Sequence, residues 1–169
     1  MYFITYNLGM ADALSRVGPV VLISCAGIMF AQPFWVRIAD RIGKKRAYVL
    51  AALIHATAHI GWATASWGGL PVLYGFALVL GIGNSGWAML GFAMVGDIAS
   101  GEGASDGGGG EGKAGLYSAV YIALDKIAFA LGGALIIGLI LSAFGFDAAA
   151  AASGGPQPQS ALTGILIAF

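Results

Sequence analysis

The feature that most constrains this chain is a long apolar stretch, 114–146, with two adjacent charged residues, Asp125 and Lys126, near its middle. A helix needs about 20 apolar residues, at about 1.5 Å of rise each, to cross a bilayer. This stretch is long enough, and Lys126 then lies close to the centre of the hydrocarbon layer. A charge at that depth costs at least about 2.5 kcal/mol unless it is paired or hydrated. The stretch therefore predicts a membrane-spanning helix with a functional charge.

The two charged side chains are expected to point in different directions, because consecutive residues of a helix do not face each other. We interpret Lys126 as facing an aqueous path between helices and Asp125 as facing a neighbouring helix. Two alternatives are open for this stretch. It is either a core helix of a soluble protein, or a membrane helix whose lysine extends its charge toward the membrane surface.

Composition favours a membrane protein. The chain has 169 residues, of which 59% are hydrophobic and only 9% charged, and its mean hydropathy is +0.85. Soluble domains carry about 25% charged residues. The net charge of zero indicates no general attraction to nucleic acid. The expected fold is an all-α, polytopic transmembrane bundle inserted in the lipid bilayer.

The apolar segments predict four full spans and two incomplete ones. Five of the eight basic residues lie between Arg37 and Arg46, and by the positive-inside rule this segment is cytoplasmic. The incomplete spans at both ends predict that the chain is a fragment of a longer protein. The expected full spans are 17–38, 47–66, 70–98 and 115–146, the partial spans are 1–10 and 160–169, and the cytoplasmic loops are 39–46 and 99–114.

Two motifs inside the spans suggest binding sites at first sight. His55 and His59 lie one helical turn apart, as metal ligands do, but no acidic third ligand follows at metal-site spacing. We therefore favour polar residues that face the bundle. The run Gly81-x-Gly83-x-x-Gly86 matches the dinucleotide fingerprint, which requires a preceding strand. Within an apolar helix the glycines instead predict close helix packing.

Other residues are candidates for a site or a gate. Tyr117 and Tyr121 share a stripe beside Lys126, and Asn84 and Trp87 are polar groups in the middle of another span. All four are candidates for lining a substrate cavity. A charge network that bridges helix ends and closes the cytoplasmic side is predicted by the spacing of Arg37, Asp40 and Arg41 with Lys44, Lys45 and Arg46, together with Asp97 at the end of a span. The alternative is that the basic residues only set the topology.

Three segments resemble one transporter family. They are PFWVRIADRIGKKRAY (33–48), GIGNSGWAMLGFAMVGDIAS (81–100) and GKAGLYSAVYIALDKIAFALGGALIIGLILSAFGF (112–146). They are similar to the loop between the eighth and ninth helices, the tenth helix and the eleventh helix of the glycoside–pentoside–hexuronide:cation symporters. That family is the melibiose-permease-like branch of the major facilitator superfamily. The resemblance implies that the chain is the C-terminal six-helix half of the fold.

The resemblance also implies a mechanism. Two six-helix bundles would enclose a cavity that opens to each side in turn, and a sugar or glycoside would enter with Na⁺, Li⁺ or H⁺. The ion-binding carboxylates of the family lie in the N-terminal half, which would be a missing partner of this chain. By this resemblance, Lys126, with Asp125, corresponds to a position near the cation site. Trp87 corresponds to a position near the sugar.

The expected protein is therefore a multi-pass symporter of the bacterial inner membrane, with no cofactor besides its coupling ion. Other possibilities are a transporter of the same fold that carries a lipid or peptide, a truncated half that does not transport, and an intramembrane enzyme or scaffold. An enzyme is disfavoured because no nucleophile and base are paired at membrane depth.

Overall fold

The computed structural model describes residues 2–10, 12–100 and 111–168, and within these ranges the chain folds as helices joined by short connections. A π-helical turn, Phe3–Asn7, comes first, and a second one, Leu131–Ile136, joins α4 to α5. The α-helices are α1 Ala13–Ile42, α2 Lys44–Ala63, α3 Ala65–Ser100, α4 Glu111–Ala130, α5 Ile137–Ala143, α6 Ala148–Ala152 and α7 Gln159–Ala168.

Three helical segments in the described ranges are long and apolar enough to cross a membrane: Ser15–Ile42, Gly68–Ile98 and Gly115–Ala143. The predicted span 47–66 corresponds to α2, which has 20 residues but is less apolar. Its basic start and its two histidines lower its hydropathy. Part of the predicted loop 99–114, residues 101–110, lies outside the described ranges.

Helix α3 is the centre of the bundle, with α1 and α2 packed along it. α1 runs parallel to α3, and the Ser24 hydroxyl donates to the carbonyl of Ala77 at 3.1 Å. α2 runs antiparallel to the part of α3 that follows a break at Gly69 (φ 68°), since Gly61 lies against Phe76 and Lys44 lies beside Asp97. A Cβ added to Gly83 would lie 2.6 Å from the backbone nitrogen of His55 on α2, and one added to Gly81 would collide with Ser24 on α1. The predicted role of these glycines in close packing is confirmed.

The turn between α1 and α2 is much tighter than the expected loop 39–46. α1 continues to Ile42 and α2 begins at Lys44, so Gly43 alone separates them. Gly43 has φ 87°, a backbone conformation that glycine adopts without steric penalty. The basic residues therefore lie on helix ends, in fixed positions relative to the two helices.

Buried side chains form two clusters at opposite ends of the bundle. Trp35, Ala51 and Leu90 belong to the cluster at the Gly43 end, where α1, α2 and α3 meet. The cluster at the other end includes Phe3 and Ile165, from the first and last helical segments of the described chain. The two terminal segments thus pack into the same core instead of projecting separately.

The expected helix 115–146 is continuous from Gly115 to Ala143, but it contains a π-helical turn. The π-helical turn Leu131–Ile136 follows α4 one turn after Lys126, and α5 ends at Ala143. Gly132 and Gly133 lie in this turn, and paired glycines are a common cause of such irregularities. The expected linker 147–159 contains a short helix, α6, whose first amides are capped by the Asp147 carboxylate.

Candidate functional site

Lys126 lies on an exposed face of α4. Its side chain is 76% exposed, and its Nζ is 3.5 Å from Oδ2 of Asp125, whose side chain is 46% exposed. Asp125 was expected to be a poor direct partner, and the contact is a long one that the lysine stem makes by bending back toward the adjacent carboxylate. The Asp125 carboxylate lies beside Lys126, and the expectation that it faces a neighbouring helix stays a prediction. At 3.5 Å the contact is an ion pair without hydrogen-bond geometry.

Tyr121 of α4 contacts α3. Its ring packs edge-on against Phe92 of α3, with centroids 5.0 Å apart. Its hydroxyl would lie 3.0 Å from a Cβ added to Gly91. Tyr117, one turn earlier, is 45% exposed. The two tyrosines thus differ in their surroundings, and only Tyr121 reaches α3 through a ring contact in the described ranges.

Trp87 and His55 meet at the interface between α2 and α3. Their ring centroids are 5.9 Å apart. His55 Nδ1 is 3.3 Å from the carbonyl of Leu80 on α3, and His55 Nε2 is 3.3 Å from Nε2 of His59. His55 therefore faces the bundle as predicted, whereas His59 is exposed. The histidine pair was not among the predicted site residues, although its spacing of one helical turn is that of metal ligands.

The indole N–H of Trp87 is buried and has no hydrogen-bond partner in the described structure. Leaving a buried donor unsatisfied costs about 1–3 kcal/mol. Asn84 lies one turn before Trp87 and is half-buried. It shares a face of α3 with Gly91, seven residues later, and Gly91 contacts α4. Asn84 is therefore on the side of α3 that faces α4.

Gly91 and Tyr121 meet nine residues before the end of α3 and ten residues after the start of α4, which is the register of an antiparallel pair. Lys126 lies five residues beyond Tyr121, or about 7.5 Å along the axis. Trp87 and Asn84 lie about 6 Å and about 10 Å from Gly91 in the same direction. The charged pair and these two polar residues thus lie at one depth. No hydrogen bond, ion pair or ring contact joins the two groups in the described ranges.

A second ion pair joins α2 to α3 at the Gly43 end of the bundle. Lys44, at the start of α2, donates to both carboxylate oxygens of Asp97, near the end of α3, at 2.7 and 2.6 Å. Lys44 belongs to the charged segment that was expected to bridge helix ends, but it was not singled out as a gate residue. The pairing of Lys44 with Asp97 could have been predicted from the sequence, because the start of one helix lies beside the end of its antiparallel neighbour.

The other predicted gate residues are not part of this contact. Arg37 lies over the ring of Phe34, with its guanidinium carbon 6.0 Å from the centroid. Asp40 and Arg41 are exposed, and neither belongs to an ion pair within the described ranges. The structure therefore links Asp97 to α2, and it does not assemble the four predicted residues into one network.

One known protein family matches this chain along its full length. The family model described as MFS/sugar transport protein matches residues 1–169. Neither the curated proteins nor the solved structures gave a match. The match confirms the family resemblance of the three segments, and it accounts for the long apolar helices and the absence of an enzyme-like site in the sequence. The chain belongs to the MFS/sugar transport protein family, whose members are multi-pass membrane transporters of sugars.

Proposed function

We propose that this protein is a sugar:cation symporter of the bacterial inner membrane that works by alternating access. The chain contributes the C-terminal six-helix half of the fold, with the Gly43 end of the bundle on the cytoplasmic side. Family membership supports a sugar as the substrate. The cluster of basic residues on either side of Gly43 supports the orientation.

The observation that carries this proposal is the exposure of Lys126. Its side chain is 76% exposed within a segment that is long and apolar enough to cross a membrane. A lysine facing lipid at that depth is costly, so it needs a protein partner or water. In the proposed arrangement a second six-helix bundle covers this face of α4, and Lys126 borders the cavity between the two bundles.

Lys126 then couples the cation to the conformational change. Without a cation, its ammonium pairs with carboxylates of the second bundle. A bound Na⁺, Li⁺ or H⁺ competes for these carboxylates and releases the ammonium, so that cation occupancy shifts the equilibrium between the two access states. Asp125 holds the released ammonium, as the 3.5 Å pair indicates. The pair thus gives Lys126 a second partner in the cation-bound state.

The sugar binds beside this pair, at the depth shared by Asn84 and Trp87. Sugar hydroxyl groups both donate and accept hydrogen bonds, and they suit the Asn84 amide and the hydroxyls of Tyr117 and Tyr121. The unpartnered indole N–H of Trp87 is a donor that a sugar hydroxyl satisfies once the helices separate. Asp97 and Lys44 hold the cytoplasmic side closed, and Arg37, Asp40 and Arg41 join the network in another access state.

Uptake and exchange measurements test the role of Lys126. In membrane vesicles from cells that express the native gene, we expect Lys126→Ala to abolish uptake of a labelled glycoside driven by a Na⁺ or H⁺ gradient. Sugar exchange without a gradient should persist, because the sugar contacts remain. Lys45→Gln is the matched control, since it removes one lysine charge outside the predicted cavity. Normal gradient-driven uptake by Lys126→Ala would contradict the proposal.

The cargo is tested separately. Unlabelled glycosides, pentosides and hexuronides should compete with the labelled sugar, and peptides or lipids should not. Competition by a peptide or lipid alone would identify a transporter of the same fold with a different cargo.

A further inference from the structure

A groove of about 370 Å³ lies on the outer surface of the bundle, where α1 and α2 pass over α3. Its walls are apolar, and they include Phe30, Phe34 and Ile38 of α1 and Leu50 of α2. Small residues of α1, such as Ala26, leave the space open. The volume is within the range of ligand pockets, about 300–1,000 Å³. The groove therefore has the capacity to hold an apolar chain, and it is separate from the residues of the proposed transport site.

The length of the groove matches one leaflet of a bilayer. From Ala26 to Ile38 it follows α1 for twelve residues, or about 18 Å. Half of the hydrocarbon core is about 15 Å thick. One end of the groove lies at Ile38 and Leu50, close to the turn at Gly43. The other end lies near the middle of the helices, so the groove opens toward only one membrane surface.

Basic residues surround the end of the groove near Gly43. Arg41 lies three residues after Ile38 on α1, and Arg46 lies four residues before Leu50 on α2, so each continues a wall of the groove. Both arginines are exposed. Helix α2 begins between them with no side-chain cap at Gly43, and the free N–H groups of its first turn add positive potential.

Within the described ranges, neither arginine at this end of the groove is paired with an acidic group. Asp97 is bound to Lys44. Asp40 lies about 100° around α1 from Arg41, on a different face from the groove. The apolar groove thus ends at two arginines that form no ion pair in the described part of the chain, and this combination matches the apolar chain and charged head of a lipid.

We propose that this groove is a binding site for an anionic phospholipid, with one acyl chain along Phe30 and Phe34 and the phosphate between Arg41 and Arg46. Basic pockets between membrane helices on the cytoplasmic side bind such head groups. Arginine suits a phosphate because its planar group donates two parallel hydrogen bonds. A bound lipid bridges α1 and α2 at the end where only Gly43 connects them.

Native mass spectrometry of the purified chain in detergent tests the site. The probes are dioleoyl phosphatidylglycerol, which is anionic, and dioleoyl phosphatidylcholine, which has the same chains and no net charge. We expect the anionic lipid to bind at least about fivefold more tightly, since each basic residue near an anionic surface has roughly this effect. Arg41→Gln with Arg46→Gln should remove the preference, and both side chains are exposed, so folding should be retained.

Two further variants separate the groove from a general basic surface. Ala26→Phe fills the groove and leaves every charge in place, so it should weaken the binding of both lipids. Lys45→Gln removes a charge from the face of α2 opposite Leu50, and it should leave the binding of both lipids unchanged.

Three results would overturn the proposal. They are equal binding of the two lipids by the unmodified chain, an effect of Lys45→Gln as large as that of the arginine variants, and unchanged binding of phosphatidylglycerol by Ala26→Phe. Displacement of the lipid by glycerol phosphate at equal concentration would also overturn it, because the site would then recognise a soluble anion.

Discussion

Gly83 provides a sharp test of how α2 and α3 are held together. A Cβ at this position would lie 2.6 Å from the nitrogen, 2.8 Å from the Cα and 2.9 Å from the Cβ of His55. These atoms are backbone or fixed to it, so no flexible side chain can move aside. To accommodate Gly83→Ala, the gap must widen from 2.6 Å to the 3.4 Å of ordinary contact, which moves α2 outward by about 0.8 Å.

The energy of this change has two opposing parts. Overpacking of a well-packed contact costs about 1–3 kcal/mol. Alanine in place of glycine in a helix gains about 1 kcal/mol. Gly75→Ala is the matched control, because Gly75 lies in the same helix and a Cβ there meets nothing within 4 Å. Gly75→Ala shows only the gain from replacing glycine with alanine. Gly83→Ala should therefore be less stable than Gly75→Ala by about 1–3 kcal/mol, the cost of overpacking.

Thermal unfolding of the purified chain in detergent measures the difference. At roughly 2–4 °C per kcal/mol for a chain of this size, Gly83→Ala should melt several degrees below Gly75→Ala. The environment of the His55 and Trp87 rings should change with it, visible as a shift in tryptophan emission. If the two variants melt together and the emission is unchanged, α2 and α3 do not approach at Gly83 and the packing argument fails.

Three further outcomes follow from single contacts. A double-mutant cycle of Lys44→Gln and Asp97→Asn should give a coupling of about 0.2–1 kcal/mol, the value for exposed pairs, that decreases in high salt; a salt-independent coupling would contradict this. Trp35→Phe removes an indole N–H that donates to a carbonyl of α3 at 2.8 Å, and it should lower the unfolding free energy by about 0.5–1.5 kcal/mol in a denaturant titration. The Arg16 guanidinium, 2.9 Å from the carboxylate, lowers the pKa of Asp12 below 3.8. Any stabilisation from this contact is therefore complete above pH 3.8 and lost as the pH falls through the lower pKa of the folded protein. Arg16→Gln should raise that pKa in an NMR titration, and an unchanged value would refute the assignment.

The close contacts show what a single sequence can predict about packing. Gly81 and Gly83 were expected to let helices approach, since small residues are required where backbones meet. Which helix each would contact was not predictable, because a glycine carries no side chain that specifies its partner. The structure places Gly81 against α1 and Gly83 against α2.

The charged residues Asp125 and Lys126 show what helical periodicity cannot predict. Helical periodicity suggested that Asp125 and Lys126 diverge, but the lysine stem is flexible enough to bring the charges to 3.5 Å. Periodicity describes the direction of Cβ atoms, and it does not describe the position of a terminal ammonium four bonds further out. The roles of both residues in transport stay predictions.

The sequence by itself determined the helical class, the membrane environment and the family. These follow from local properties: the length of apolar runs, the scarcity of charge and short motifs read in order. Only the tertiary structure decided that Lys44 pairs with Asp97, that His55 meets Trp87, and that an apolar groove ends between Arg41 and Arg46. These contacts depend on the register of helices that lie far apart in the chain, and register is set by the packing of whole helix faces.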